Sequence, residues 1–295
     1  MKWGLTASRV RAVNPRRPLL ATLLLFAVLT LTACTGQFVY NRLDFLIPFY
    51  FGQRVSLDEP QQAQLKAAVR GFTAWHRTSQ LERYSGFLRG LARDAVRPST
   101  REEISASLET MEGFWDDMIV EVLPEGTRML QTLSPGQVDE LLESFAEDDE
   151  DDYEDYCEPS PKKLFDKRIK GLTRSVKGWS RTLTDEQKGV IERTARSMKL
   201  LGCASLESRA LWRAEVRRTL ATRTDGRAMR DRLRTLMLEP HTVWTDEYRR
   251  GFLDNRARII DMIAELDGTW SAKQREAIAT RLNDIADDLE ELARG

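Results

Sequence analysis

The chain has 295 residues, with 45 Lys and Arg against 46 Asp and Glu for a formal net charge of −1, and charged residues make up 31% of it. That near-balance argues against a nucleic-acid partner, which calls for a basic stripe or patch. A charged fraction above the typical value of about 25% suits long helices with solvated faces, so an all-α fold is predicted.

Residues 1–33 read as a targeting segment. Lys2, Arg9, Arg11, Arg16 and Arg17 make a basic start, and Leu19 to Thr32 make an uncharged apolar run. Fourteen residues fit the apolar region of a cleaved signal peptide, whereas a spanning helix needs about 20. Prolines flank Arg16-Arg17 on both sides, which argues against a twin-arginine signal. The run ends in Leu31-Thr32-Ala33-Cys34, which resembles the bacterial lipobox. The resemblance implies cleavage between Ala33 and Cys34, a diacylglycerol on the Cys34 sulfur and a further acyl chain, of the palmitate type, on its amine. The membrane is then a partner through Cys34. Each buried methylene adds about 0.8 kcal/mol, so such an anchor is effectively permanent. An ordinary signal peptide with a nearby cysteine is the competing reading, disfavoured by the charge, length and position of the segment. Thr35, where an aspartate would signal inner-membrane retention, favours the periplasmic face of the outer membrane.

Removing 33 residues leaves 262, enough for one large domain with a substantial core, and removes five basic residues, so the balance becomes 40 basic against 46 acidic, or −6.

Directly after Cys34 come six aromatics: Phe38, Tyr40, Phe45, Phe49, Tyr50 and Phe51. Three residues separate Cys34 from Phe38, a reach of roughly 10 Å when extended. As a helix, Val39, Leu43, Leu46 and Tyr50 share one face while Phe38, Phe45 and Phe49 form another. Three placements satisfy two apolar faces: one on the bundle and one in a headgroup layer, both inside the bundle, or one on an envelope protein partner. The first is preferred and all three stay open.

Apolar residues then recur at helical spacing, as in Leu65, Ala68, Phe72, Trp75; Leu108, Met111, Trp115, Met118, Val122; and Ile278, Leu282, Ile285, Leu289, Leu292. The pattern predicts a single bundle of about nine helices. Four starts share one signal: Leu57-Asp58-x-x-Gln61, Leu133-Ser134-x-x-Gln137, Leu183-Thr184-x-x-Gln187 and Trp270-Ser271-x-x-Gln274. Each offers a cap oxygen and a glutamine that reaches back to the cap amide. Cys157-Glu158-Pro159-Ser160-Pro161 breaks the helical pattern and divides the domain into lobes of about 52–158 and 159–295. Nine acidic residues in twelve, Glu147 to Glu158, precede the break and a lysine- and arginine-rich stretch follows it. The acidic run is expected to be a solvated helix end balanced by those lysines and not a metal site, since it lacks the spacing of a calcium loop.

His76 and His241 are too few for a histidine metal site and accompany no zinc motif. No nucleophile elbow, phosphate loop or dinucleotide fingerprint occurs. No catalytic residue, metal or cofactor is assigned, and a non-enzymatic protein is expected. Trp75, Trp115, Trp179, Trp212, Trp244 and Trp270 fall mostly on apolar stripes and are expected in the core. Once Cys34 is set aside, Cys157 and Cys203 remain, an even pair that an oxidising compartment invites to bond. Two separate thiols remain the alternative.

The lipobox, "YNRLDFLIPFY", "AWHR…LERYSGFLRGLA", "LTDEQ" and the closing "WSAKQREAIATRLNDIADDLEELA" together resemble a family of Gram-negative lipoproteins catalogued only as a domain of unknown function. The resemblance spans nearly the whole mature chain, with the lipobox and aromatic run its most specific part. It implies an all-helical fold and an envelope location, with no catalytic residues. Leu183-Thr184-x-x-Gln187 and Leu133-Ser134-x-x-Gln137 more loosely resemble the LTxxQ motif of Spy-type periplasmic chaperones. The function expected is a structural or interaction role in the envelope. The alternatives are a periplasmic chaperone or stress sensor and a carboxylate-dependent hydrolase.

Overall fold

A computed structural model describes residues 39–295. Residues Leu31, Thr32, Ala33, Cys34 and Phe38 lie outside the described residues. Among those described, the fold is all-α, with eleven α-helices, two of them joined so that ten are continuous, and no strands. In chain order these are α1 (Leu43–Gly52), α2 (Glu59–Trp75), α3 (Leu81–Asp94), α4 (Arg101–Thr132), α5 (Pro135–Tyr156), α6 (Pro161–Ser180), α7 (Asp185–Ser197), α8 (Gly202–Ala221), α9 (Gly226–Leu238), α10 (Asp246–Gly268) and α11 (Ala272–Arg294). A π turn, His76–Gln80, joins α2 to α3 without a break. A 3₁₀ turn, Pro240–Val243, precedes α10.

The four shared start signals all form capping boxes, on α2, α5, α7 and α11. Thr100 and Glu103 form a fifth, on α4. Each such cap contributes about 1 kcal/mol locally, but the four glutamines also act across the bundle. Gln61 and Gln137 exchange amide hydrogen bonds, Gln61 Nε2 to Gln137 Oε1 at 3.0 Å and Gln137 Nε2 to Gln61 Oε1 at 2.7 Å. Gln61 Nε2 also donates to the Thr132 carbonyl, and Gln137 Nε2 to that of Ser56. Gln187 and Gln274 repeat the plan: Gln274 Nε2 donates to Gln187 Oε1 at 2.9 Å and to the Thr182 carbonyl, while Gln187 Nε2 donates to Gln274 Oε1 at 3.3 Å and to the Thr269 carbonyl. In all four cases the outside carbonyl stands two residues before the partner's cap. Two symmetric clasps therefore fasten helix starts in pairs, α2 to α5 and α7 to α11, with Gln187 fully buried.

Three apolar clusters make the core. The first gathers Val55, Leu123, Leu133 and Leu141 with Val216, Leu220, Met229 and Leu236. The second joins Tyr40, Leu81, Tyr84 and Leu88 of the N-terminal side to Leu282, Ile285, Leu289 and Leu292 of α11. The third sets Val190 and Ile191 against Met262 and Leu266. Two of the three cross the break at residues 157–161, so the predicted lobe division is no packing boundary; α11 returns to α3 and α8 to α5.

Cys157 and Cys203 are bonded, with Cα atoms 5.5 Å apart, which ties the end of α5 to the first turn of α8. Beside them Gly202 is packed so tightly that a Cβ would stand 2.5 Å from the Tyr156 Cβ. The acidic end of α5 is more structured than the sequence suggested. Asp149 pairs with Arg209 and Arg213, Asp152 with Arg209 and Asp148 with Arg54, while Lys167 to Asp155 at 3.2 Å crosses the turn as expected. Arginines from α8 and from the chain before α2 thus take the role expected of the lysines.

Candidate functional site

The aromatic segment divides as soon as it meets the bundle. Val39 and Tyr40 are helical, the chain turns at Asn41 and Arg42, and α1 then lies along α2. Tyr40, expected at a membrane or partner surface, is instead 7% exposed in the second core cluster. It sits in the turn before α1, where the wheel drawn through residues 38–51 does not apply. Its hydroxyl lies 3.0 Å from His76 Nδ1, and Arg77 lies over its ring. Burial pushes the Tyr40 phenol up to about 12, so the hydroxyl stays protonated and shares a hydrogen bond with the ring nitrogen whose direction is set by the imidazole tautomer.

His76 opens the π turn, in which the Leu81 amide bonds back to the His76 carbonyl. Phe72, Trp75 and Tyr84 surround the imidazole. Burial lowers its pKa to about 4, since an imidazolium there would lose its hydration with no carboxylate to replace it. The π turn inserts a five-residue step between two core residues, His76 and Leu81, and so keeps both on the buried side. Tyr84 packs on Phe114 with ring centroids 4.7 Å apart.

α1 itself is apolar nearly all round, with Asp44 its only charge. Leu43 packs on the second core cluster and Phe51 on the first, so Phe51 is half-buried and not a free contact. Phe45 is 61% exposed, Phe49 50% and Tyr50 51%. Phe45 and Phe49 stack one helical turn apart at 5.9 Å, and Phe49 meets Tyr50 edge-on at 5.5 Å. The expected face of Phe45 and Phe49 is therefore open, while Tyr50 is exposed at its margin and does not join the half-buried Leu43 and Leu46. Pro48 removes one helical hydrogen bond within this short helix.

Beside the open face, Tyr40, Asn41, Asp44, Arg70, Thr73 and Arg77 bound an open cleft of about 240 Å³. Arg77 donates to Asn41 Oδ1 at 2.8 Å and to the Leu292 carbonyl at 3.1 Å, which ties the start of α1 to the end of α11. Lys66 and Arg70 stand one turn apart on the exposed side of α2, which has no acidic residue after Glu59. The geometry is that of an aromatic ridge with a basic flank.

Trp115, Trp179, Trp212 and Trp270 pack against the core clusters as expected. Trp244 does not; it heads a half-exposed ladder with Tyr248 and Phe252, at 4.8 and 5.1 Å, that the sequence reading missed. Its signal was the i, i+4, i+8 spacing of those rings. His241 is exposed in the 3₁₀ turn. Among the described residues no group of three or more His, Cys, Asp or Glu side chains is placed to hold a metal ion. Among the same residues no helix is long and apolar enough to cross a membrane.

No curated protein and no solved structure matches this chain. Residues 53–249 do match a described family, which leaves both the aromatic segment and α11 outside the matched range, although the sequence resemblance placed its most specific part in that segment. With two thirds of its length matched, the chain belongs to the family of unknown function DUF6279.

Proposed function

We propose that the protein is a lipid-anchored envelope protein, held by Cys34 at the periplasmic face of the outer membrane, and that it acts by contact and not by catalysis. The observation that carries this reading is the position of the open face: Phe45 and Phe49 stand 61% and 50% exposed on a helix that begins nine residues after Cys34. An apolar leader ending in Leu31-Thr32-Ala33-Cys34 and an adjoining solvent-facing aromatic ridge are what a chain tethered to a bilayer at that cysteine needs. Behind the ridge, a disulfide, two glutamine clasps and shared clusters make one helical body suited to presenting a surface.

The chaperone alternative drew on the LTxxQ-like motif. Gln187 has its amide engaged with Gln274 and Thr269 and its oxygen with the Thr184 amide, so that motif has a complete structural role. The interaction reading needs no such motif.

The test is fractionation of cells that produce the full chain or its Cys34→Ser variant. The full chain is expected in the outer-membrane fraction and to incorporate a palmitate analogue. Cys34→Ser is expected to lose the label and leave that fraction. Full retention of Cys34→Ser in the membrane would count against the reading.

A further inference from the structure

We propose that the α1 ridge of Phe45 and Phe49 seats in the headgroup layer of a bilayer bearing anionic lipids, with Lys66 and Arg70 against the lipid phosphates, so that the helical body is held at a fixed orientation to the membrane. This rests on the lipid-anchored reading and adds a second, non-covalent contact to it.

The argument begins with what α1 leaves unsatisfied. Leu43 and Phe51 already pack on the core, so the bundle has taken the face it can take. Phe45 and Phe49 stack on each other and face outward. Exposed phenylalanines at adjacent turns form a patch of the kind that marks a protein or membrane contact. The chain itself selects between these occupants. Four residues separate Val39 from Cys34, so the start of the described fold lies within about 18 Å of the anchored sulfur even when the link is fully extended. At that range the bilayer is present at all times, whereas a protein partner has to be recruited.

The charges agree with a lipid surface. Lys66 and Arg70 are exposed one turn apart on α2, Arg70 borders the same cleft as Asp44 of α1, and no acidic residue follows Glu59 in α2. Arg70 and Arg77 border the open cleft at the start of α1. Basic residues beside an aromatic face are the pattern of helices that lie in an anionic interface. Asp44, at the rim of the cleft, limits how deeply this end can enter. The ridge is therefore expected at headgroup depth and not in the acyl core.

The experiment uses the full acylated protein, reconstituted into vesicles of phosphatidylethanolamine and phosphatidylglycerol. With Cys34 acylated and Cys157 bonded to Cys203, an added cysteine is the sole free thiol. Phe45→Cys, Phe49→Cys and, as a control, Val96→Cys are each labelled with a nitroxide. Val96 is 76% exposed, beyond the far end of α3. Collision with oxygen and with a water-soluble nickel chelate is then measured. At positions 45 and 49 the oxygen-to-nickel ratio is expected to exceed that at 96 by at least about threefold. Lys66→Glu combined with Arg70→Glu is expected to lower that excess.

Ratios equal to that at 96 would overturn the proposal, and so would shielding from both reagents, which is the mark of a covering protein. The mass of the N-terminal peptide from the same sample separates the two failures. An acylated chain with a water-exposed ridge overturns this inference alone; a chain without acyl groups overturns the anchored reading and this one with it.

Discussion

Gln61, Gln137, Gln187 and Gln274 each bind two helix starts with one side chain. The amide oxygen accepts from its own cap, and the amide nitrogen donates across to the partner glutamine. Glutamate would serve the capping box equally well, but it has no donor for the clasp. Gln187→Glu is therefore expected to cost about 3 kcal/mol, because it faces a carboxylate toward Gln274 Oε1 in a buried site and strips the Thr269 carbonyl of its donor. Urea unfolding of the variant measures it; a cost no larger than that of losing a single cap, about 1 kcal/mol, would show that the clasp is dispensable. The caps were legible in the sequence because a capping box is a four-residue pattern. Which start meets which was not, since that depends on contacts 76 and 87 residues apart. The one local hint is that all four positions carry Gln and none carries Glu.

His76 gives a pH dependence of definite sign. Its folded pKa, about 4, lies below the ordinary 6.5, so between those values the unfolded chain binds the extra proton. Tyr40 and Tyr84 face the ring and supply no negative charge at these pH values, and Arg77 over Tyr40 opposes a second cation. The contribution is complete above pH 6.5 and declines as pH falls toward 4, by up to about 3 kcal/mol. Denaturant midpoints across that range check it, and His76→Phe should flatten the slope there relative to the parent chain.

At the scale of elements, the bond between Cys157 and Cys203 closes a separation of 46 residues, for which the chain-entropy account gives about 4 kcal/mol. The double variant Cys157→Ser with Cys203→Ser is expected to lose a stability of that order, read as a fall in thermal midpoint that matches that of the reduced parent. Helix periodicity was legible almost everywhere because every helix buries a stripe, and ten continuous helices stand where about nine were expected. The π turn was not anticipated, since its five-residue step between His76 and Leu81 resembles a lapse in the pattern. The assignment of Tyr40 failed for a related reason. The chain turns between Tyr40 and Leu43, and the partner that buries it, His76, comes 36 residues later.

For the whole molecule, the sequence divided the chain at its prolines, but packing ignores that division because α11 closes back onto α3 and carries the second cluster with it. The family match covers residues 53–249, so the aromatic segment that the sequence marked as most telling lies outside the matched range. On the proposed reading, its open face meets the membrane because the chain is tethered just before it. That tether is the central claim, and the most direct test is the mass of the N-terminal peptide of the protein purified from membranes and cut with trypsin. The account predicts a peptide that starts at Cys34 and ends at Arg42, bearing a thioether-linked diacylglycerol and an amide-linked acyl chain. A mature chain that starts at another residue, or one in which Cys34 is unmodified, would contradict it.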